Sequence, residues 1–455
     1  MNIRATIAII LCKSLRFVSR LLHRGGTAMP GRFALKVCPG LLSILAKDVK
    51  TVAITGTNGK TTSARMIEEA FAISGKSCFA NRSGANMIDG ITTEFVMNCS
   101  IFGKMRKEYA VIECDEAAAK RVFKHMRPKV IVVTNLFRDQ LDRYGDVTHT
   151  LEHIRLAAEA SPDSILCVNG DCSLCASLAE SVSNPVRFFG IDKGALPSKE
   201  KSEISDATHC IRCKNEYEYD YITFGHLGGF SCPHCGYKRS AAPYAVTNVV
   251  EQSLEGSRIV MNVNGKEALM DINLPAVYNI YNAAATAAAC TEMGLSLDTV
   301  ISALAGFKCG FGRMESFELG GGAKMMLVKN PAGCNLVTEF LRGVKERFIL
   351  VICLNDRPGD GTDISWIWDA ELEGLCTLPG LEKLIISGDR AADMWVRVKY
   401  AGVKDEFIEV EQDYEKIVSA LEKQDKKIFI MPNYTSMLEM REVIVKRCGG
   451  ADFWE

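Results

Sequence analysis

Short apolar runs bounded by turn-forming residues punctuate the chain. VKTVAIT (49–55), YAVIE (109–113), KVIVVTN (129–135) and SILCVNG (164–170) each read as a buried strand. Between them, residues 63–74 and 148–160 carry helical spacing. Strands alternating with helices predict an α/β fold with a parallel sheet and crossover helices. Residues 190–242 break the alternation; they are polar, carry paired cysteines and read as an insertion. An alanine-rich helix follows, roughly Tyr281 to Met293. Past a boundary near Gly310–Arg313, apolar runs at 325–330, 347–356, 383–389 and 426–433 predict a second, smaller α/β unit. The expected organisation is an N-terminal basic segment (1–48), a central α/β domain (49–312) with its insertion, and a C-terminal α/β domain (313–455).

The N-terminal segment places Arg4 before an apolar run, Ala5 to Cys12, then continues with Lys13, Arg16, Arg20, His23 and Arg24. The run is far below the roughly 18 residues of a spanning helix. Basic residues past it and the lack of a clean A-x-A site argue against a cleaved signal. Residues 3–24 read as a basic amphipathic helix with two open roles: packing on the next domain, or contact with an anionic membrane surface. Composition changes the picture little. A formal net charge of −1 gives no basic field for nucleic acid. Eighteen cysteines spread over 455 residues do not describe a small disulfide-stapled fold.

Chemistry first enters at Gly56-Thr57-Asn58-Gly59-Lys60-Thr61-Thr62, which follows a strand and opens a helix. Glycines let backbone N–H groups curl around phosphate oxygens, and the helix N-terminus adds its positive end. Lys60 would reach the β- and γ-phosphates, and the Thr61 hydroxyl would hold Mg²⁺. The pattern is GxxGKT rather than the full GxxxxGK[ST]. Mg²⁺ needs hard oxygen ligands, and Glu113 ends the next strand with Asp115 and Glu116 behind it. Acids after a strand are also often only solvated, most of all Asp115.

Cys210-x₂-Cys213 and Cys232-x₂-Cys235, with residues 214–231 between them, have the spacing of a Cys₄ zinc ribbon. The insert has few large aliphatic residues, so Zn²⁺ would supply much of its folding energy. Four protein ligands leave no open position, so the expected role is structural. His209 and His234 lie beside the ligands, but the four cysteines fit the spacing better.

GTNGKTT after a strand resembles the Mur ligase family, which includes folylpolyglutamate synthases. Other stations follow in order. Glu113 matches the family's metal-binding glutamate. TNLFRDQLDRYG (134–145) is similar to N-x-x-x-D-H-x-D, with Asp139 and Asp142 matching and Gln140 replacing the histidine. VYNIYNAAATAA (277–288) is similar to H-N-x-x-N-A-x-A-A with Tyr278 for histidine; the resemblance implies that Asn279 and Asn282 face the adenine. Gly312-Arg313-Met314-Glu315 resembles the G/H-R-x-E element, implying that Arg313 contacts phosphate. Asn330 falls where the family has a ribose-contacting aspartate. HIRLAAEA (153–160) offers no counterpart of the lysine that many members carbamylate. The phosphate loop begins near residue 55, which leaves little room for a UDP-sugar domain.

These departures, with NRSGANMIDGITTEF (81–95), the cysteine insert, KNPAGCN (329–335) and LNDRPGDGTDISWIWD (354–369), resemble the MurT branch of that family from about Leu22 to Met437. The resemblance implies ATP, Mg²⁺ and structural Zn²⁺. It implies a GatD-type glutaminase partner in a heterodimer, a lipid II substrate, and a cytoplasmic location that could be peripheral to the membrane. The expected reaction is ATP-dependent amidation of the D-glutamate α-carboxylate of lipid II. From the residues alone, Asp356, Asp360 and Asp363 sit amid Gly and Pro after a very apolar strand, where α/β sheets form sites or where acids cap turns. The resemblance implies that one of them completes the partner's Cys–His pair; Asp356 is the first choice, Asp360 and Asp363 the alternates. The chain has no G-x-C-x-G elbow of its own. Two rival readings are a ligase that joins an amino acid, and an ATP-switched zinc-ribbon module without catalysis.

Overall fold

The computed structural model describes residues 3–21, 28–81, 85–138, 147–199, 206–308 and 313–449. The chain divides into two compact units, Met1–Leu136 with Val147–Phe307, and Phe137–Asp146 with Lys308–Glu455.

In the first unit, α1 (Ile3–Leu21), α2 (Ala28–Val37) and α3 (Leu41–Ala46) precede β1 (Lys50–Thr55). The order continues α4 (Lys60–Ile73), β2 (Cys78–Ala80), α5 (Ile88–Met97), β3 (Tyr109–Glu113), α6 (Glu116–Met126), β4 (Val130–Val133), α7 (Val147–Glu159) and β5 (Ile165–Asn169). Then come the short α8 (Ser173–Ala176) and α9 (Leu178–Ser181), β6 (Val186–Ile191), and strands β7 (Glu218–Phe224) and β8 (Leu227–Ser231). The unit ends with β9 (Tyr244–Gln252), β10 (Ser257–Val263), β11 (Lys266–Ile272), α10 (Val277–Glu292) and α11 (Leu297–Gly306).

Nine strands form one sheet in the order β11-β10-β9-β6-β5-β4-β1-β3-β2. From β2 to β9 all pairs are parallel. β1, β3 and β4 are buried almost throughout, as in a parallel sheet with helices on both faces. The strand order turns about β1, which pairs with β3 on one side and β4 on the other. Ligand crevices of open α/β sheets form at the C-terminal ends of strands at such a switch.

Three findings depart from the expected outline. The sheet is not wholly parallel: beyond β9 the β9–β10 and β10–β11 pairs are antiparallel. Their outer residues alternate with solvent, so they lack the continuous apolar run of a central strand. The alanine-rich helix starts at Val277 rather than near Tyr281. α1 runs from Ile3 to Leu21, and the rest of the expected 3–24 helix lies outside the described residues.

The cysteine-bearing insertion has its own two-stranded sheet, β7-β8. A buried polar knot fastens it to the large sheet. Asp171 accepts from Arg239 Nε (2.6 Å), Ile191 N (2.8 Å) and Tyr281 Oη (2.7 Å). Tyr281, on α10, also shares a hydrogen bond of 2.6 Å with Thr223 Oγ1 on β7. Burial pushes the Asp171 carboxyl up, against the pull of the Arg239 guanidinium and its hydrogen-bond donors.

The second unit comprises β12 (Arg313–Phe317), β13 (Ala323–Met326), α12 (Pro331–Arg342), β14 (Phe348–Cys353), β15 (Leu381–Ser387), α13 (Ala391–Tyr400), β16 (Ile408–Val410), α14 (Tyr414–Leu421), β17 (Lys427–Pro432) and α15 (Tyr434–Cys448). Its sheet order is β12-β13-β17-β14-β15-β16, with only the β12–β13 pair antiparallel. The expected run 325–330 is strand only to Met326; Asn330 already caps α12. Apolar residues of β13, β14 and β17 meet α14 and α15 in one core that includes Val351, Ile430, Val418 and Met440.

Candidate functional site

The turn after β1 is built to carry glycine at two points. Gly56 has φ +115°, and a Cβ there would lie 2.4 Å from Thr134 Oγ1 and 2.8 Å from the Asn135 carbonyl oxygen. Gly59 has φ +85°, and its Cβ would lie 2.2 Å from Asn282 Oδ1. Any side chain would push the turn off β4 on one side or α10 on the other. Asn135 holds the loop in a matched pair of bonds: its Oδ1 accepts from Asn58 N (3.0 Å) and its Nδ2 donates to Asn58 O (3.1 Å). Thr57 N donates to the Asn135 carbonyl at 2.9 Å. The first intrahelical bond of α4 runs from Ser63 N to Gly59 O; the N–H groups of Thr57 and Asn58 are taken by Asn135, so those of residues 59–62 are the ones that stand at the helix N-terminus.

Lys60 is buried and fully engaged. Its Nζ lies 2.8 Å from Glu116 Oε1 and also donates to the Gly56 and Thr57 carbonyls. The same carboxylate oxygen accepts from Gly56 N at 3.0 Å. Glu116 is therefore an anchor for the loop lysine, not an open metal ligand. Asp115 also has a structural role: it caps α6, accepting from Ala117 N and Ala118 N. Glu113 is the acid that reaches the loop. Its Oε2 accepts from Thr61 Oγ1 at 2.6 Å, and Asn81 brackets its backbone with two bonds of 2.8 Å. A hydroxyl and a carboxylate side by side make a hard-oxygen pair that fits Mg²⁺.

Asn279 and Asn282, expected against the adenine, are buried in a chain of amides. Asn279 Nδ2 donates to Pro275 O (2.6 Å), Asn282 Nδ2 to Asn279 Oδ1 (3.1 Å), and Ser63 Oγ to Asn282 Oδ1 (3.3 Å). They tie α10 to α4. Asp139, Gln140 and Asp142 lie outside the described residues. In the second unit, Arg313 begins β12 opposite Met326, and its side chain likewise lies outside what is described. Two residues on, Glu315 receives a two-pronged contact from Arg441, with Nε–Oε2 at 3.0 Å and Nη2–Oε1 at 2.9 Å. Asn330 is buried and caps α12 through Gly333 N at 2.8 Å.

The three loop aspartates after β14 differ sharply. Asp360 is buried; it accepts from Thr435 N (2.7 Å) and Thr435 Oγ1 and closes its own turn on Arg357 N (3.3 Å). Burial raises its pKa against those donors. Asp363 accepts from Ser365 N at 2.8 Å, which lowers its pKa. Asp356 is half-exposed, and its nearest cation is Arg390 Nη1 at 3.6 Å. Two of the three carboxylates thus shape the loop, while the third, partly exposed, lies beside Arg390.

In the insertion, Cys210, Cys213, Cys232 and Cys235 bring their sulfur atoms within 4.8 Å of one another. Each pair ends in a tight knuckle: Lys214 N donates to Cys210 O and Gly236 N to Cys232 O, with Lys214 at φ 65° and Gly236 at φ 73°. Donors from Asn215 pull the Cys213 thiol down to about 5, while Cys235, against the pull of the Tyr237 backbone donor, is pushed up to about 12 by desolvation and its three neighbouring sulfurs. Four thiolates this close cannot all ionise without a cation, and a tetrahedral soft metal such as Zn²⁺ fits the donor set. Tyr217, Phe230 and Tyr237 pack beneath the knuckles.

Sequence reasoning did not find the grip of Glu116 on Lys60, the Asn135 brace, or the Asp171–Tyr281 knot. Asn135 stands at the head of the TNLFRDQLDRYG segment, four residues before Asp139, and its place directly after β4 is the one signal that could have marked it as a brace for the neighbouring loop.

A family model described as "Mur ligase middle domain" matches residues 54–233, and one described as "MurT ligase C-terminal" matches residues 327–437. The chain is 34% identical over 450 residues to the lipid II isoglutaminyl synthase (glutamine-hydrolyzing) subunit MurT of Streptococcus pneumoniae, covering 98% of each chain. Among solved structures it is similar to a pseudomurein peptide ligase type C from Methanothermus fervidus, with TM-score 0.66, 23% identity, and 88% of this chain and 79% of that one covered. It is also similar to MurF ligase from Thermotoga maritima in complex with ADP, with TM-score 0.64, 14% identity, and 91% and 85% covered.

Proposed function

The chain belongs to the MurT family of Mur ligases, and on that premise we propose that it amidates the D-glutamate α-carboxylate of lipid II with ATP. The observation that carries the reading is the loop assembly: Lys60 held by Glu116, and Thr61 beside Glu113, at the switch of a Mur ligase-type sheet. The carboxylate attacks the γ-phosphorus of ATP, ADP leaves, and an acyl phosphate forms. Ammonia then attacks the acyl carbon and inorganic phosphate leaves, giving D-isoglutamine. Oxide is a poor leaving group and phosphate a good one, which is why the nucleotide is spent.

The N–H groups that open α4 would hold the phosphates, and Lys60, on exchanging a loop carbonyl for a phosphate oxygen, would neutralise charge as it develops; positioning and electrostatics carry most of such a reaction. Thr61 and Glu113 would hold Mg²⁺, which supplies charge neutralisation at the phosphate oxygens. Arg313 would contact phosphate, and Asn330 would take the ribose position. The four cysteines would hold structural Zn²⁺, and the Asp171–Tyr281 knot ties that ribbon to α10. Ammonia comes from a GatD-type glutaminase partner in a heterodimer, with Asp356 orienting the partner's histidine.

ATP turnover separates this reading from a ligase that joins an amino acid. The expected result is ADP release with lipid II plus ammonium and none above background with lipid II plus amino acids. Release that requires an amino acid would reject amidation.

A further inference from the structure

α1 has two faces. Ala5, Ala8, Ile9 and Cys12 are buried, and the helix packs on α2 and α5. On the other side Ile3, Ile7, Ile10, Phe17 and Leu21 are between 49% and 74% exposed. At about 100° per residue, these five fall within about 40° of one line along the helix, and Arg4 and Arg20 flank it at about 100° on either side. Both arginines are exposed. Met29 and Phe33 on α2 are exposed too, beside Lys36 and beside Arg32, which pairs with Asp89 of α5 at 2.9 Å. No acidic residue precedes Asp48 in the sequence, although the whole chain carries net charge −1. Among the described residues, nearly half of the large exposed apolar side chains lie before residue 45.

We propose that this face of α1 is a docking surface for an anionic lipid bilayer. An apolar stripe a single helix wide cannot cross the hydrocarbon, and no described helix is long and apolar enough to do so. It can lie in the interface, apolar side chains among acyl chains and flanking arginines at the phosphates. The charge selects the occupant: a neutral apolar partner would gain nothing from the arginines that edge the stripe, whereas lipid phosphates pair with them. The inference deepens the proposed function and rests on it for its purpose, because a lipid-linked substrate lies in that plane.

The test is co-sedimentation of the full chain with substrate-free vesicles of phosphatidylcholine plus phosphatidylglycerol, against phosphatidylcholine alone. The expected result is binding to the anionic vesicles that weakens as salt is raised. Ile7→Asn with Phe17→Asn, and separately Arg4→Gln with Arg20→Gln, should each weaken it by about tenfold or more. Both variants change exposed side chains, so ammonium-dependent turnover on a soluble, lipid-free substrate peptide should match the parent and report intact folding. Absent vesicle binding, or equal binding by parent and variants, would overturn the proposal. So would light scattering that shows a dimer of the parent lost in the variants, which would assign the face to a second copy. The vesicles hold no substrate, so their outcome is independent of amidation. Failure of turnover on the soluble peptide by the parent would instead count against the proposed function.

Discussion

Lys60→Ala should lower lipid II-dependent ATP turnover about a thousandfold, a loss of about 4 kcal/mol in transition-state stabilisation. The lysine sits in the loop after β1 and is the one side-chain cation placed there by the described contacts. Removing it also strands the buried Glu116 carboxylate, whose side chain is 8% exposed. Breaking a buried pair from one side costs about 3–5 kcal/mol of stability. Loss of activity by unfolding must therefore be separated from loss of chemistry. The pair Lys60→Met with Glu116→Gln removes both charges, and its urea midpoint should return close to that of the parent. Its turnover should stay as low as that of Lys60→Ala. Recovery of turnover in the double variant would show that the lysine is only a structural partner of Glu116.

Asp356→Asn should lower glutamine-dependent amidation by the complex about a thousandfold to ten-thousandfold, as expected when an orienting carboxylate beside a catalytic histidine becomes an amide. Amidation from added ammonium should stay within about twofold, because the ligase reaction does not use this residue. The geometry separates Asp356 from its neighbours. Asp360→Asn keeps the oxygen that accepts from Thr435 N but replaces the one that accepts from Thr435 Oγ1 and Arg357 N with an NH₂ that cannot accept, and should appear as a stability loss of about 1–3 kcal/mol. Kinetics with glutamine and with ammonium on one set of preparations check both statements. An Asp356→Asn complex that uses glutamine as well as the parent would remove the proposal that this chain completes the partner's site.

The parts of the molecule legible in the sequence were those with a local cause. YAVIE is a strand from Tyr109 to Glu113 because both faces of β3 are covered and every position is apolar until the acid at its end. The tight turn from Gly56 into α4 was legible because glycines followed by a lysine and threonines after a strand mark a strand-to-helix turn. The paired cysteines were legible because knuckle turns fix their own geometry. What escaped has non-local causes. Glu116 meets Lys60 through the parallel register of β1 and β3, in which Ile54 lies opposite Glu113. No local pattern encodes that register. β9, β10 and β11 mix polar and apolar residues because much of their surface faces solvent, which dilutes the run expected of a strand. α10 begins four residues before its expected start at Tyr281, at a turn where Ala276 takes φ 74°, and its first asparagine is fixed by bonds rather than by helix propensity. The loop aspartates looked alike in sequence, and only their partners divide them into two that accept from loop N–H groups and one that lies beside Arg390.

Labelled oxygen tests most directly whether the terminal phosphoryl group is handed to the acid. Lipid II carrying heavy oxygen in the glutamate α-carboxylate, incubated with the complex, ATP and ammonium, should yield inorganic phosphate bearing one heavy atom per turnover by mass spectrometry. That atom crosses because the carboxylate oxygen that attacks phosphorus leaves with phosphate when ammonia displaces it. Heavy oxygen in AMP, or amidated product formed with unlabelled phosphate, would contradict the account.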